Sequence, residues 1–199
     1  MGKITLSAGA LTAPVPPAIV SCGEGEAANL VTVAWTGILN TKPPMTYISL
    51  RPERHSYGIV RQTGEFVVNL TDSSMARAAD LCGMFTGRKK DKAALAGLTL
   101  EESETVKCPS VAESPLSLEC RVERVIPLGT HHVFVARILC VRVRDDLVDG
   151  DGRLRLDKAK LCAYAHGEYF ELGRSLGKFG FSVAGRRGGK KGSGKPGRK

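Results

Sequence analysis

The sequence has none of the short signatures of a self-sufficient catalytic centre. It contains no G-x-S-x-G elbow, no H-E-x-x-H, no P-loop and no isolated pair of acids in an apolar setting. These absences argue against the common serine hydrolases, zinc proteases and nucleoside triphosphatases. The six cysteines (Cys22, Cys82, Cys108, Cys120, Cys140 and Cys162) include no C-x-x-C and have no histidine at ligand spacing, which argues against zinc or any other metal. No apolar run reaches the roughly 20 residues that a membrane span needs. Aromatic residues make up only 6% of the chain, which leaves few platforms for stacking nucleic-acid bases.

A signal for export is also missing. Ile19-Val20-Ser21-Cys22 has the look of a lipoprotein box, but Pro14, Pro16 and Pro17 break the segment before it and Lys3 is the only positive charge ahead of it. The expected location is therefore a reducing cytoplasm, with the cysteines as thiols.

What the chain does have is 199 residues, 42% of them hydrophobic, enough for one domain with a real core. The net charge of +9 is unevenly spread. Residues 186–199 hold seven Lys or Arg and no acid, which leaves 22 basic against 20 acidic groups in residues 1–185. The expected division is a folded domain over 1–185 and a flexible Gly/Lys/Arg tail over 186–199 that touches nucleic acid, an anionic membrane surface or an acidic partner only weakly.

The most informative stretch is residues 29–57. Val31, Val33 and Trp35 alternate with Thr32, Ala34 and Thr36, and Met45, Tyr47 and Ser49 alternate with Thr46, Ile48 and Leu50. That is strand periodicity, and Pro43-Pro44 predicts the turn of a strand pair. A short helix follows Pro52 and ends at Gly64, with Ser56 at its N-cap and Arg51, Arg54 and His55 just upstream. A helix start carrying a hydroxyl and guanidinium groups suits a phosphate. A serine in that place also caps helices where no ligand is present.

Further along, EFVVNL at 65–70 reads as a strand. SSMARAADLCG at 73–83 reads as a helix with Met75, Ala78, Ala79 and Cys82 on one stripe and Gly83 at its end. TGRKKDK at 86–92 is a cationic loop that can wrap a phosphate or sit in water, the second being the more frequent for such a loop, and residues 100–115 read as an exposed acidic excursion. Residues 116–126 and 132–144 alternate as two long antiparallel strands. His131 and His132 are adjacent, so they point to opposite faces and cannot share a metal. The whole is mainly β with short helices and no regular βαβ alternation, which favours an antiparallel barrel over a Rossmann sheet.

A chain without acid–base machinery acts through a cofactor if it is a redox protein, since it then need only bind and orient that group. A flavin suits the remaining features. Its phosphate would take Arg51, Ser56 and a cation such as Lys92, and its ring would take the small-residue face of Thr32 to Thr36.

The ordered motifs N-x-x-T-x-A-W (Asn29 to Trp35), Lys42-Pro43-Pro44, S-L-R (Ser49 to Arg51), Ser56-Tyr57, F-x-V-N (Phe66 to Asn69), C-G with T-G-R-x-x-D-K (Cys82 to Lys92), G-x-H-x-x-F (Gly129 to Phe134) and Tyr169 with Leu172-Gly173 span residues 14–175. This set resembles the flavoredoxin branch of the flavin reductase-like, FMN-binding split-barrel proteins. The resemblance implies an antiparallel Greek-key split β-barrel, a homodimer with flavin near the interface, and noncovalent FMN. It implies an FMN site of Thr32, Val33, Ala34 and Trp35, then Ser49, Leu50 and Arg51, then Ser56, Tyr57 and Lys92, with His131 near the reactive edge. An acidic residue usually precedes that histidine in the family, whereas this chain has Thr130, which leaves the role of His131 open.

The implied activity is that of a flavoprotein oxidoreductase, either an NAD(P)H-dependent flavin reductase or an electron carrier fed by a redox protein. Two other readings stay open: a nucleic-acid-binding barrel that uses the basic tail, and a split-barrel module whose cofactor has no redox role.

Overall fold

The first strands alternate as their sequence dictates, and the elements built on them close into a barrel with one open seam. The computed structural model describes residues 1–183, so the basic tail over 186–199 lies outside the described residues. Seven strands form the main sheet: β1 (Ala18–Cys22), β2 (Asn29–Val33), β3 (Thr36–Thr41), β4 (Pro44–Leu50), β5 (Glu65–Leu70), β8 (Leu116–Pro127) and β9 (His132–Val143). Their spatial order is β2-β1-β5-β8-β9-β4-β3, and every pairing is antiparallel. The two edge strands, β2 and β3, are consecutive in sequence and joined only by Ala34 and Trp35. A sheet whose edges are tied together must curl on itself. No ladder links β2 to β4, and the two sides meet through the Ser49 N–H, which donates to the Trp35 carbonyl at 3.0 Å. The architecture is the split barrel expected from the sequence.

The barrel interior follows the period of two. Val20, Val31, Ile48, Phe66, Cys120 and Phe134 point inward from six strands, and Val60 of α1 (His55–Thr63) plugs one end. The alternate residues Ile19 and Leu30 face outward and pack against Met75, Ala78, Ala79 and Cys82 of the helical segment that contains α2 (Ala76–Met84). Both faces of β1 are therefore covered, and all five of its residues are buried. α3 (Lys92–Ala96) follows the cationic loop, β6 (Leu100–Glu101) pairs with β7 (Ser110–Val111), and β10 (Cys162–Ala165) forms a hairpin with β11 (Glu168–Glu171).

Four local expectations need correction. The strand pair is β3–β4, because residues 36–41 form a strand of their own and residues 29–33 pair with β1. The helix begins two residues early, at His55, with Arg54 as its N-cap and Ser56 inside the first turn, because the Arg54 N–H closes a turn onto the Arg51 carbonyl at 3.0 Å. Gly64 does end that helix, in the left-handed region at φ 70°.

Gly83, by contrast, does not stop α2, which runs on to Met84. A Cβ at position 83 would lie 3.4 Å from the Thr32 Cβ, so the glycine lets α2 lie close against β2. Finally, residues 100–115 are not an exposed excursion. Val106, Cys108 and Val111 are buried, and Asn69 Oδ1 accepts from the Val111 N–H at 3.0 Å. The Glu119 carboxylate accepts from the N–H groups of Glu104 and Thr105 at 2.9 and 2.7 Å, so a polar segment is held down by buried polar partners.

Candidate functional site

The open seam is where the candidate residues converge. β2 is paired on one side only, so beyond Val31 its other edge offers free backbone N–H and C=O groups to whatever fills the gap. β4 delivers Ser49, Leu50 and Arg51 to the opposite lip. A cavity of about 150 Å³ lies between them, lined by Val31, Thr32, Val33, Ala34, Trp35, Ser49, Leu50, Arg51, Arg54 and His131. A second cavity of about 260 Å³ is lined by Val31, Arg51, Glu53, Arg54, His55, Ser56, Phe85, Thr86, Gly87 and Lys92. The two share Val31, Arg51 and Arg54, so they meet as one trough with a narrow end between strands and a cationic end at the start of α1.

The chemistry of the cationic end follows from its donors. Arg54, the N-cap of α1, makes no side-chain cap, so the first turn of this nine-residue helix keeps unpaired N–H groups beside the cavity. Ser56 is 1% exposed and accepts from Asn29 Nδ2 at 2.6 Å, which leaves its own proton to donate. The Cys22 thiol lies beside that proton, and an anionic oxygen is a far stronger acceptor.

Lys92 is 6% exposed, and its Nζ donates to the carbonyls of Leu30 at 2.6 Å and Cys82 at 2.9 Å. An ammonium carries three protons, so one remains for the cavity. Burial holds the Lys92 pKa below the ordinary lysine value, with Cys82 opposing the shift and Arg54 reinforcing it. An anion seated here would reverse that shift and be held by it in turn.

The two arginines are positioned differently. Arg54 is fixed by a bond from its guanidinium to the Gly83 carbonyl at 3.0 Å. Arg51 pairs with Glu53 at 2.7 Å and is half exposed, so it can swing toward a ligand. Gly87 passes so close to Asn29 that a Cβ there would lie 1.9 Å from Asn29 Oδ1. The loop backbone thus closes one wall of the cavity and buttresses the Asn29–Ser56 bond.

At the narrow end the Trp35 and His131 rings stack with centroids 4.3 Å apart, tilted by 37°. Burial, and then the charge of Arg51, lower the His131 pKa, while Glu53 opposes them, so the surroundings favour the uncharged ring. A donor set of one hydroxyl, one ammonium, two guanidinium groups and a helix start fits a phosphate. A slot bounded by strand edges and a stacked pair of rings fits a flat polar heterocycle.

Thr32, Val33, Ala34, Trp35, Ser49, Leu50, Arg51, Ser56, Lys92 and His131, all expected from sequence, line the trough. Tyr57 lines neither cavity. Its hydroxyl bonds His132 Nδ1 at 2.8 Å and its ring meets Phe134 edge-on at 5.4 Å, so it braces α1 against β9 from behind. Thr86 and Gly87 belong to the T-G-R-K-K-D-K loop, which on residue type can wrap a phosphate or sit in water, and here they line the cavity wall; Phe85 beside them carries no signal in the sequence. Among the described residues no group of three or more His, Cys, Asp or Glu could hold a metal ion, and no helix is long and apolar enough to cross a membrane.

The model of one protein family, the flavin reductase like domain, matches residues 10–173. The flavoredoxin of Desulfovibrio vulgaris superposes with a TM-score of 0.83 at 29% identity, covering 92% of this chain and 99% of its own. The flavoredoxin of Methanosarcina acetivorans superposes with a TM-score of 0.84 at 23% identity, covering 94% and 100%. An NADPH-flavin oxidoreductase of Streptomyces viridifaciens is 28% identical over 146 residues, 71% of this chain and 74% of that protein.

Proposed function

The chain belongs to the flavin reductase like domain family, and from that premise we propose that it is an FMN-binding oxidoreductase that takes its electrons from a reduced nicotinamide nucleotide. The observation that carries this reading is the shape and chemistry of the trough. One end gathers Arg51, Arg54, Ser56 and Lys92 around a helix start, and the adjoining end is a slot between strand edges. A mononucleotide with a flat ring matches both halves.

A bound flavin supplies hydride and electron chemistry at its own ring, which is why the polypeptide needs no acid–base pair. The residues bind and orient. Ser56, Lys92 and the arginines hold the phosphate, and the free edge of β2 at Thr32 to Ala34 addresses the polar rim of the ring. Trp35 and His131 border the ring's open side, where they exclude water and leave room for a donor. The lowered pKa of His131 favours its uncharged form there.

The relative named as an NADPH-flavin oxidoreductase supports a nicotinamide donor, and the two flavoredoxins support electron transfer to a further redox protein. A homodimer is supported by the edge strand β3, where Ile38 and Leu39 are 80% and 51% exposed next to Trp35. All six cysteines are free thiols, which suits a reducing cytoplasm.

The test is direct. Purified protein is expected to be yellow, or to quench FMN fluorescence saturably when FMN is added, and to oxidise NADH or NADPH in the presence of flavin. A colourless protein that ignores FMN would end the reading. FMN binding without nicotinamide oxidation would leave an electron carrier.

A further inference from the structure

The link that closes the seam has a second side. Ala34, Trp35 and Ser49 line the slot and also border a separate cavity of about 310 Å³. The Ser49 N–H, donating to the Trp35 carbonyl at 3.0 Å, ties the partition between the two. A ligand in one therefore need not displace a ligand in the other. The volume lies at the small end of the range of about 300–1,000 Å³ typical of sites that enclose a small molecule.

The cavity sits on the outside of the barrel. Tyr47, Ser49 and Val133 stand on the strand faces opposite to the inward Ile48 and Phe134, and Ser49 and Val133 are direct partners of β4 and β9. Tyr47 lies across Gly37, its partner on β3; a Cβ there would come within 3.3 Å of the tyrosine ring, so the missing side chain leaves the ring room to lie back. The roof is the N-terminal segment. Residues 1–14 are exposed, and the segment is fastened at Val15, whose N–H and carbonyl bond Tyr164 of β10 at 3.0 and 2.8 Å. Ala10, Thr12 and Val15 close the cavity from above.

Its chemistry is unlike that of the trough. No Lys, Arg, Asp or Glu lines it, so nothing there offsets the desolvation of a charged ligand. The phosphates of a nicotinamide nucleotide are thereby excluded. Trp35 and Tyr47 offer aromatic walls, and Val15, Val133 and Ala34 offer aliphatic ones. Among the hydroxyls, Thr36 Oγ1 is committed to the Tyr47 carbonyl at 2.6 Å, while Ser49 and Tyr47 bring two that can turn a proton toward a carbonyl oxygen.

We propose that this cavity binds an uncharged single-ring quinone, which takes up the electrons that a nicotinamide delivers to the slot. The inference rests on the flavin reading of the slot and adds an acceptor site apart from the ring's open side, which stays free for the donor. Over one turnover the nicotinamide loses a hydride, and the quinone gains two electrons and two protons to become a hydroquinone. The second proton comes from water, and nothing else is consumed. Donor and acceptor occupy different places, so both are bound at once.

Trp35 is the only tryptophan in the chain, so its fluorescence reports the cavity without any measurement of activity. Duroquinone, whose fully methylated ring cannot add a thiol, is titrated into the full chain without flavin and then with saturating FMN. Anthraquinone sulfonate is the charged comparison. Two variants fill the cavity: V133F from β9, and A10F from the exposed roof, where it cannot disturb the barrel.

Wild-type protein is expected to show saturable quenching by duroquinone and about tenfold weaker binding of the sulfonate. Each variant should weaken duroquinone by about tenfold and FMN by less than about twofold, and NADPH oxidation with duroquinone should give intersecting double-reciprocal lines. Quenching that never saturates, a sulfonate bound as tightly as duroquinone, or unchanged affinity in both variants would overturn the proposal. So would parallel lines, or a duroquinone affinity that falls as protein concentration rises, since that would give the cavity to a second copy. If duroquinone binds and FMN does not, the flavin reading of the slot fails and the cavity stands without its redox role. If FMN binds and duroquinone does not, the cavity alone fails.

Discussion

Replacing Arg51 with alanine tests the division of the trough into a phosphate end and a ring end. Arg51 sits where the two cavities meet, and its guanidinium is tethered only to Glu53 at 2.7 Å, with 53% of the side chain exposed. A charge-assisted hydrogen bond contributes about 1.5–3 kcal/mol, and half exposure puts this one at the lower limit. A loss of about 1.5 kcal/mol is roughly a tenfold rise in Kd. Removing Arg51 also leaves the Glu53 carboxylate facing the bound anion, which acts in the same direction but is weakened by solvent. Riboflavin, which has the ring without the phosphate, provides the internal control. Fluorescence titration of the R51A variant should show FMN weakened about tenfold and riboflavin by less than twofold. Equal losses for both ligands would assign Arg51 to the ring, and no loss for either would remove it from the site.

Three further outcomes follow from the same geometry. Gly87→Ala places a Cβ against Asn29 Oδ1, forcing Asn29 off Ser56; FMN affinity should fall about tenfold or more and, because the broken bond is buried, stability should fall by about 1–3 kcal/mol, and unchanged affinity in the folded variant would refute the buttress. In NMR titration, the His131 pKa should rise when Arg51 becomes alanine, because the Arg51 charge is one of the causes that lower it; a fixed value would show that burial alone sets it. Burial pushes the thiols of Cys22 and Cys108 up to about 12 and that of Cys82 to about 11, and raises Cys120 as well. The unfolded chain releases those protons from about pH 9, so the folded state is the more protonated one above that pH and stability falls by up to about 1.4 kcal/mol per thiol per pH unit. Lys92, whose pKa is lowered, acts with the opposite sign below its ordinary value and offsets one thiol at most. Urea unfolding in reductant should therefore show a midpoint that drops sharply between pH near 9 and pH near 10.5, and a flat midpoint would contradict the buried-thiol account.

Much of the barrel was legible because its strands obey a simple rule. In β2, β5, β8 and β9 one face meets the interior, and alternation in the sequence reports that face directly. β3 escaped because it has no such face. Ile38 and Leu39 are neighbours and both exposed, so the strand is defined only by its pairing with β4. Residues 100–115 escaped for the converse reason, since their polar content suggests solvent. In the fold that content is matched by Asn69 and Glu119, which take up the backbone N–H groups, and those partners lie 14 to 42 positions away in the chain. Local pattern reports burial driven by apolar contact and is blind to burial driven by hydrogen bonding.

The site shows the same limit from the other side. Arg51, Ser56 and Lys92 stand out by residue type, but what makes them a site is not local. Lys92 is aimed by the carbonyls of Leu30 and Cys82, the first of them 62 positions away, and Ser56 is oriented by Asn29 from 27 positions away. Each of these anchors belongs to β2 or to the helix packed on it, and β2 is also the strand whose free edge opens the seam. The seam and the donor set thus have one origin. The chain passes from β2 into β3 through Ala34 and Trp35 without pairing β2 to β4, so the free edge of β2 opens the slot while Asn29 and Leu30 of the same strand anchor the Ser56 hydroxyl and the Lys92 ammonium at the cationic end. Closing the seam with a ladder from β2 to β4 would satisfy that backbone at the cost of the slot. The split in the barrel is therefore the part of the fold that a bound flavin would fill.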